Sequence, residues 1–244
     1  MSNYTNPSKI DVVILCGGEG KRLSSILKDR PKPMAVFGNR PFLSLLMEYV
    51  SSFGFSRFIL CTGYKGDFIK RYYCAHSLPW EVLYSQEEKP LGTGGAIKKA
   101  KNLIRSNPFL VMNGDAFLSL NLGKFINFHL RKKALLSLAL VDKCNNRNFG
   151  KVILDNRQRI IVFREKTKVE IENFYSAGTY LMDRDIFSFM PRRRVISLEH
   201  DFFPKIVLMD KRCYGFKQNF ELVDFGTPNG YRRAKQLFSK KRYV

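Results

Sequence analysis

A turn dense in glycine and cations, Leu15-Cys16-Gly17-Gly18-Glu19-Gly20-Lys21-Arg22-Leu23, is the first stretch of the chain whose residue types suit chemistry. It follows the apolar run Val12–Cys16, which reads as a buried strand, and Pro31-Lys32-Pro33-Met34 comes shortly after it. Glycines behind a parallel strand let backbone N–H groups approach an anion, at the sheet edge where α/β proteins bind ligands. Lys21, Arg22 and Lys32 would add cations there: an Arg fork suits phosphate oxygens, and Lys supplies compact charge. Neither common phosphate loop fits. A Walker A loop needs Gly where Leu15 stands and Ser or Thr where Arg22 stands, and a dinucleotide fingerprint needs Gly or Ala at Leu23. A tight turn with surface cations is the plainer alternative, which the loop alone leaves open.

Two carboxylates bear on that choice. Asp115 follows the apolar run Phe109–Met112 and Gly114, which places it at the carboxyl edge of a sheet. Asp224, in Val223-Asp224-Phe225-Gly226-Thr227-Pro228, also follows an apolar strand. A pair of acidic oxygens beside a phosphate loop is what Mg²⁺ requires, since it is held by one or two carboxylates plus substrate phosphates. The competing reading is a turn or helix-cap role for each Asp, strongest for Asp224 because Thr227-Pro228 resembles a helix start. Asp224-Phe225-Gly226 also matches the kinase metal motif, but no His-Arg-Asp loop precedes it, so that match is set aside.

These residues need a scaffold, and the pattern supplies one. Val12–Cys16, Arg57–Thr62, Glu81–Tyr84 and Pro108–Met112 read as strands. Helical patterns lie between them: one opened by Pro41, with Phe42, Leu46, Tyr49, Val50 and Phe53 on one face, one from about Asp67, and one over Ala96–Ile104 behind the Gly92–Gly95 loop. Such alternation predicts a mostly parallel sheet covered by helices on both faces. From Leu135 the strands Leu135–Val141, Lys151–Leu154, Arg159–Phe163 and Tyr175–Met182 follow with few helices, which predicts a small antiparallel extension. Helices return near Arg184–Met190, Glu199–Leu208 and after Pro228. With no repeat or linker, the expectation is a single α/β domain over residues 1–244, with residues 1–10 as a polar tail.

Composition removes whole classes. Of 244 residues 45% are apolar, 21 of them Phe, which excludes a solvated coil. No apolar run approaches the ~20 residues a bilayer span needs, and the first residues lack a signal peptide's apolar core. Five scattered cysteines and three distant histidines form no disulfide framework or zinc site, so a reducing, cytoplasmic address is expected. The net charge of +21 is partly concentrated in Arg192-Arg193-Arg194 and in the tail through Lys240-Lys241-Arg242. A solvated basic surface accounts for such runs, and no nucleic-acid signature accompanies them, so no nucleic-acid partner is expected.

In order along nearly the whole chain, further segments join the first loop. They are Glu87-Glu88-Lys89-Pro90-Leu91-Gly92-Thr93-Gly94-Gly95-Ala96, Asn113-Gly114-Asp115, Phe163-Arg164-Glu165-Lys166 and Ser176-Ala177-Gly178, ending in Asp224-Phe225-Gly226-Thr227-Pro228. This set resembles the sugar-1-phosphate nucleotidyltransferases. The opening Leu-Cys-Gly-Gly and Ser197-Leu198-Glu199-His200-Asp201-Phe202-Phe203-Pro204 most resemble the short D-glycero-D-manno-heptose 1-phosphate guanylyltransferase branch.

The resemblance implies a Rossmann-like three-layer sandwich and a phosphoryl-transfer site with nucleoside triphosphate and sugar 1-phosphate as partners. Arg22 would hold the pyrophosphate portion and Lys32 the α-phosphate. Leu15, Gly17, Gly18, Gly20, Lys21, Glu87, Gly92 and Thr93 would bind the nucleotide, and Asp115 and Asp224 would carry Mg²⁺. Gly114, Gly150, Glu165, Lys166, Ser176 and Gly178 would hold the sugar phosphate. Glu87 stands at the family's base-reading position, where a carboxylate accepts the adjacent N1–H and N2–H donors of guanine, which favours GTP. The chain departs from the family at Lys21, usually Thr, and at Ser176, usually Asn. Mannose 1-phosphate with GTP, another sugar 1-phosphate with CTP, UTP or dTTP, and a basic non-catalytic or nucleic-acid-associated paralogue remain as alternatives, and a homo-oligomer is left open.

Overall fold

The structure is a computed structural model that describes residues 6–27, 29–142, 149–165, 174–209, 211–218 and 221–240, with backbone alone at residues 21, 24, 25, 239 and 240. The N-terminal half runs β1 (Val12–Cys16), α1 (Ser24–Leu27), β2 (Val36–Phe37), β3 (Arg40–Pro41), α2 (Phe42–Ser51), β4 (Arg57–Thr62), α3 (Gly66–Cys74), β5 (Glu81–Gln86), α4 (Gly92–Ala100), β6 (Phe109–Asn113), β7 (Ala116–Leu118) and α5 (Leu122–Arg131). The remainder is β8 (Leu136–Val141), β9 (Lys151–Leu154), β10 (Ile160–Arg164), β11 (Phe174–Met182), α6 (Phe203–Leu208), β12 (Cys213–Lys217), β13 (Leu222–Asp224) and α7 (Pro228–Lys240).

Among the described residues nine strands form one sheet. β1 lies parallel between β4 and β6, and β5 is parallel to β4. β11 is antiparallel to β6, β8 and β9, β10 is antiparallel to β9, and β12 is parallel to β8. The expected parallel centre with an antiparallel extension is therefore present, and the β12–β8 pairing adds a parallel edge that the pattern did not predict. The apolar runs are continuous because the central strands are buried on both faces. Val12, Ile14 and Cys16 enter one core with Phe58, Leu60 and Met112, whereas Val13 enters the other with Ile59, Phe109 and Val111.

Three local expectations change. Residues 6–10 are not a loose tail: Asn6 caps a short turn over Pro7–Lys9, and Ile10 is only 1% exposed. Helix α4 starts at Gly92 rather than Ala96 and ends at Ala100; in its first turn the Gly94 and Gly95 amides donate to the Ile196 carbonyl, at 2.8 and 3.1 Å. Glycine is a poor helix former, and this distant partner satisfies two first-turn amides that a helix leaves open. The unpredicted helix α5 is capped by Asn121, whose Oδ1 accepts the Lys124 N–H at 2.9 Å.

Helix α5 also carries His129, buried with its Nδ1 2.8 Å from the Ser137 hydroxyl oxygen. Burial lowers its pKa from 6.5 to about 4, opposed by the nearby Asp183 and reinforced by Arg212. The unfolded chain therefore binds the extra proton first, so this contribution to stability is lost as pH falls from 6.5 to about 4. We expect chemical denaturation of the wild type to lose about 3 kcal/mol more than His129→Gln across that window. Parallel pH–stability curves for the two proteins would contradict the assignment.

Candidate active site

A cleft of about 430 Å³ opens at the carboxyl ends of β1 and β6. Leu15, Cys16, Gly17, Gly18, Gly20 and Arg22 line one part of it, Lys32, Asn113, Asp115 and Gly226 another, and Glu87, Gly92 and Thr93 a third. All of the sequence-derived nucleotide positions but Lys21, whose side chain lies outside the described set, thus meet at one opening.

The two candidate metal carboxylates converge through β7 and β13. These strands pair antiparallel with Asp224 opposite Ala116, and the Phe225 amide donates to the Asp115 carbonyl at 3.4 Å. The buried Phe225 ring holds this backbone against the rings of Phe37 and Phe42, with centroids 5.3 and 4.5 Å away. The helix-cap reading of Asp224 does not hold: Thr227 Oγ1 accepts the Gly230 N–H, whereas Asp224 Oδ1 accepts the Gly226 N–H at 2.6 Å.

Lys32 closes the arrangement. Its Nζ donates to Asp115 Oδ2 at 2.5 Å and stands 5.4 Å from the Phe225 ring centroid, while a Cβ at Gly226 would lie 2.9 Å from both this Nζ and Asp224 Oδ1. The Lys32 side chain is 9% exposed and that of Asp115 40%, so the cation is held while the carboxylate still meets solvent. Burial first, then the Asp115 charge, raise the Asp224 carboxyl above its ordinary pKa; the Gly226 N–H, Lys32 and Arg22 pull the other way. Two carboxylates and two cations therefore share one field. Among the described residues no group of three or more His, Cys, Asp and Glu side chains could hold a metal ion. The Asp115–Asp224 pair fits Mg²⁺ that takes its other ligands from substrate phosphates.

Glu87 Oε2 accepts the Leu91 N–H at 2.9 Å, and its Oε1 would stand 3.4 Å from a Cβ on Gly17 in the cleft wall. Burial raises its pKa, offset in part by the Leu91 N–H and by Lys99. Cys16 and Cys61 also line the cleft, but burial pushes both thiols far up, so neither provides a thiolate nucleophile.

The sugar-side residues form an adjoining group rather than part of this wall. Gly178, at φ 71°, sits where β11 shifts register, and a Cβ there would lie 2.6 Å from Asn113 Nδ2. A non-glycine residue would strain the backbone and displace Asn113, which does line the cleft. The Ser176 amide donates to the Gly150 carbonyl at 2.9 Å, and Gly150 packs against Phe163 and Glu165. Gly114 packs under Leu15 and Cys16, where a Cβ would be 2.7 Å from the Leu15 carbonyl oxygen, so its role is to let β1 and β6 approach. Lys166 lies outside the described residues. Tyr180 is a core residue whose buried hydroxyl lies beside Ser176 and in the fields of Glu199, Glu165 and Asp115.

Residues 11–241 match the model of the nucleotidyl transferase family. The chain belongs to that family. Among the relatives of this nucleotidyl transferase is the D-glycero-alpha-D-manno-heptose 1-phosphate guanylyltransferase of Aneurinibacillus thermoaerophilus, 37% identical over 93% of the chain and 97% of the relative. The mannose-1-phosphate guanylyltransferase of Mycobacterium tuberculosis is 33% identical over 93% of the chain and 64% of its own length. Among solved structures, HddC from Yersinia pseudotuberculosis superposes with a TM-score of 0.82 at 34% identity, covering 94% of this chain and 99% of HddC. HddC has also been solved in complex with GMP-PN. No described helix is long and apolar enough to cross a membrane.

Proposed function

We propose that the nucleotidyl transferase domain formed by this chain joins GTP to D-glycero-D-manno-heptose 1-phosphate, giving GDP-heptose and pyrophosphate. The observation that carries this reading is the common field of Arg22, Lys32, Asp115 and Asp224 at a cleft that Glu87 also lines. An oxygen of the sugar 1-phosphate attacks the α-phosphorus in line, a new P–O bond forms, and the bond to the β-phosphate breaks. No protein nucleophile is required, so the chain contributes position and charge.

Lys32, fixed by Asp115 and the Phe225 ring, stabilises the negative charge that grows at the α-phosphate, and the more exposed Arg22 receives the departing pyrophosphate. Asp115 and Asp224 would hold Mg²⁺, which when bound offsets the mutual repulsion of the phosphates. The Gly92 and Thr93 amides, first in α4, have no helical acceptor and remain for the nucleotide, and Glu87 reads the guanine edge. Glu165, Lys166 and Ser176 receive the sugar phosphate. The reducing cytoplasm, where nucleoside triphosphates are abundant, is the proposed site of action, with the product serving surface polysaccharide assembly.

Pyrophosphate release over a grid of four nucleoside triphosphates and several sugar 1-phosphates tests this. GTP with the heptose 1-phosphate is expected to give the highest kcat/KM. A faster rate with mannose 1-phosphate, the substrate in the Mycobacterium relative's name, would move the sugar assignment. A faster rate with CTP, UTP or dTTP would move the base. In the same assay Glu87→Gln, which loses one acceptor for the paired guanine donors, is expected to reduce GTP use about tenfold more than use of other triphosphates. An unchanged preference across the four nucleotides would remove Glu87 from base recognition.

A further inference from the structure

Ser197-Leu198-Glu199 lies far along the chain from the nucleotide loop and has no part in the mechanism above. In the fold it is locked to that loop. Backbone bonds make the first connection: besides the Gly94 and Gly95 amides on the Ile196 carbonyl, the Ile196 amide donates to the Leu91 carbonyl at 2.8 Å. The approach is close, since a Cβ on Gly95 would stand 2.5 Å from the Arg194 carbonyl oxygen.

Side chains make the second connection, and their proton directions are fixed. The Leu198 N–H donates to Thr93 Oγ1 at 2.8 Å, so that hydroxyl turns its own proton to Glu199 Oε2, also at 2.8 Å. The His200 N–H donates to Ser197 Oγ at 3.1 Å, and that hydroxyl donates to the same Glu199 oxygen at 3.0 Å. A carboxylate is the natural acceptor for two hydroxyl protons, and charge shortens and strengthens such bonds. Thr93 lines the cleft, yet its hydroxyl is engaged away from any ligand, which leaves its backbone amide as the group available to one.

We propose that Glu199 is a positioning residue for the nucleotide: by fixing Thr93 it sets the first turn of α4, and with it the Gly92 and Thr93 amides at the cleft. This deepens the function proposed above and rests on the cleft being a nucleotide site.

The test compares Glu199→Ala, Thr93→Val, their double variant and Glu199→Gln, each checked for folding by circular dichroism and Tm. GTP affinity is read by calorimetry and turnover by pyrophosphate release. Glu199→Ala and Thr93→Val are each expected to weaken GTP binding about tenfold, and the double variant no more than either alone, because all three break the same link. Glu199→Gln keeps an oxygen acceptor and should stay within about threefold of wild type. GTP affinity unchanged in folded Glu199→Ala, or single effects that simply add, would overturn the proposal and leave Glu199 a purely structural residue. A wild type that binds GTP but turns over no sugar 1-phosphate would sink the reaction proposed above while still testing the positioning role; a wild type that binds no GTP would sink both.

Discussion

Lys32→Met is expected to lower kcat/KM for pyrophosphate release by about 10²–10³-fold while the protein stays folded, the usual cost of removing one preorganised charge donor. The methionine keeps an unbranched apolar stem beside the Phe225 ring and removes the ammonium that touches Asp115. Asp115 is 40% exposed, so water can take up its freed oxygen, and Arg22 still offsets the charge of Asp224. What disappears is a cation held in place before the substrate arrives, and bulk water cannot replace it without reorganising. Steady-state kinetics beside a melting curve make the comparison. A folded variant within fivefold of wild type would remove Lys32 from the charge-stabilising role.

Asp224→Asn is expected to have the opposite consequences for stability and for activity. Burial and the charge of Asp115 raise the Asp224 carboxyl above its ordinary value of 3.8. Between that value and the raised one the folded chain holds more protons than the unfolded chain, so stability falls as pH rises through the window and stays lower above it. Asparagine carries no charge and keeps the Oδ1 that accepts the Gly226 N–H. The variant should therefore melt higher than wild type at pH 7, and the gain should vanish below the ordinary carboxyl pKa. Its pyrophosphate release should fall by about 10³-fold, because one of the two carboxylates that would hold Mg²⁺ is lost. Mg²⁺ with GTP should raise the wild-type Tm and move that of Asp224→Asn much less. A variant that melts lower at pH 7, or that keeps its activity, would contradict this account.

The legible parts of the site are those whose signal is local. Val12–Cys16 followed by Gly17-Gly18-Glu19-Gly20 announces a strand and a glycine turn within a dozen residues, and the structure has the strand with Gly17, Gly18 and Gly20 in the wall of the cleft. Asp115 is similarly marked by the apolar strand before it. Asp224 was ambiguous, because a turn, a helix cap and a metal ligand use the same residue in the same setting. Thr227 capping α7 removes the cap role, while Asp224 Oδ1 makes the turn contact to the Gly226 N–H and β13 pairing with β7 brings its strand to Asp115. Glu199 is legible only as part of the stretch over residues 197–204 that carries the resemblance; its bond to Thr93 joins two segments far apart in the chain and has no local signal.

By itself, then, the order of residues determined the alternation of strands and helices, the two-faced apolar core and the kinds of side chain gathered for phosphate chemistry. Those follow from periodicity and from the backbone freedom of glycine, which act over a few neighbouring residues. Tertiary structure alone decided that Asp224 stands beside Asp115, that α4 begins among glycines, and that Glu199 braces the nucleotide loop. Each of these depends on hydrogen bonds and charge fields between segments distant in the chain, and such contacts exist only once the sheet has brought their strands together.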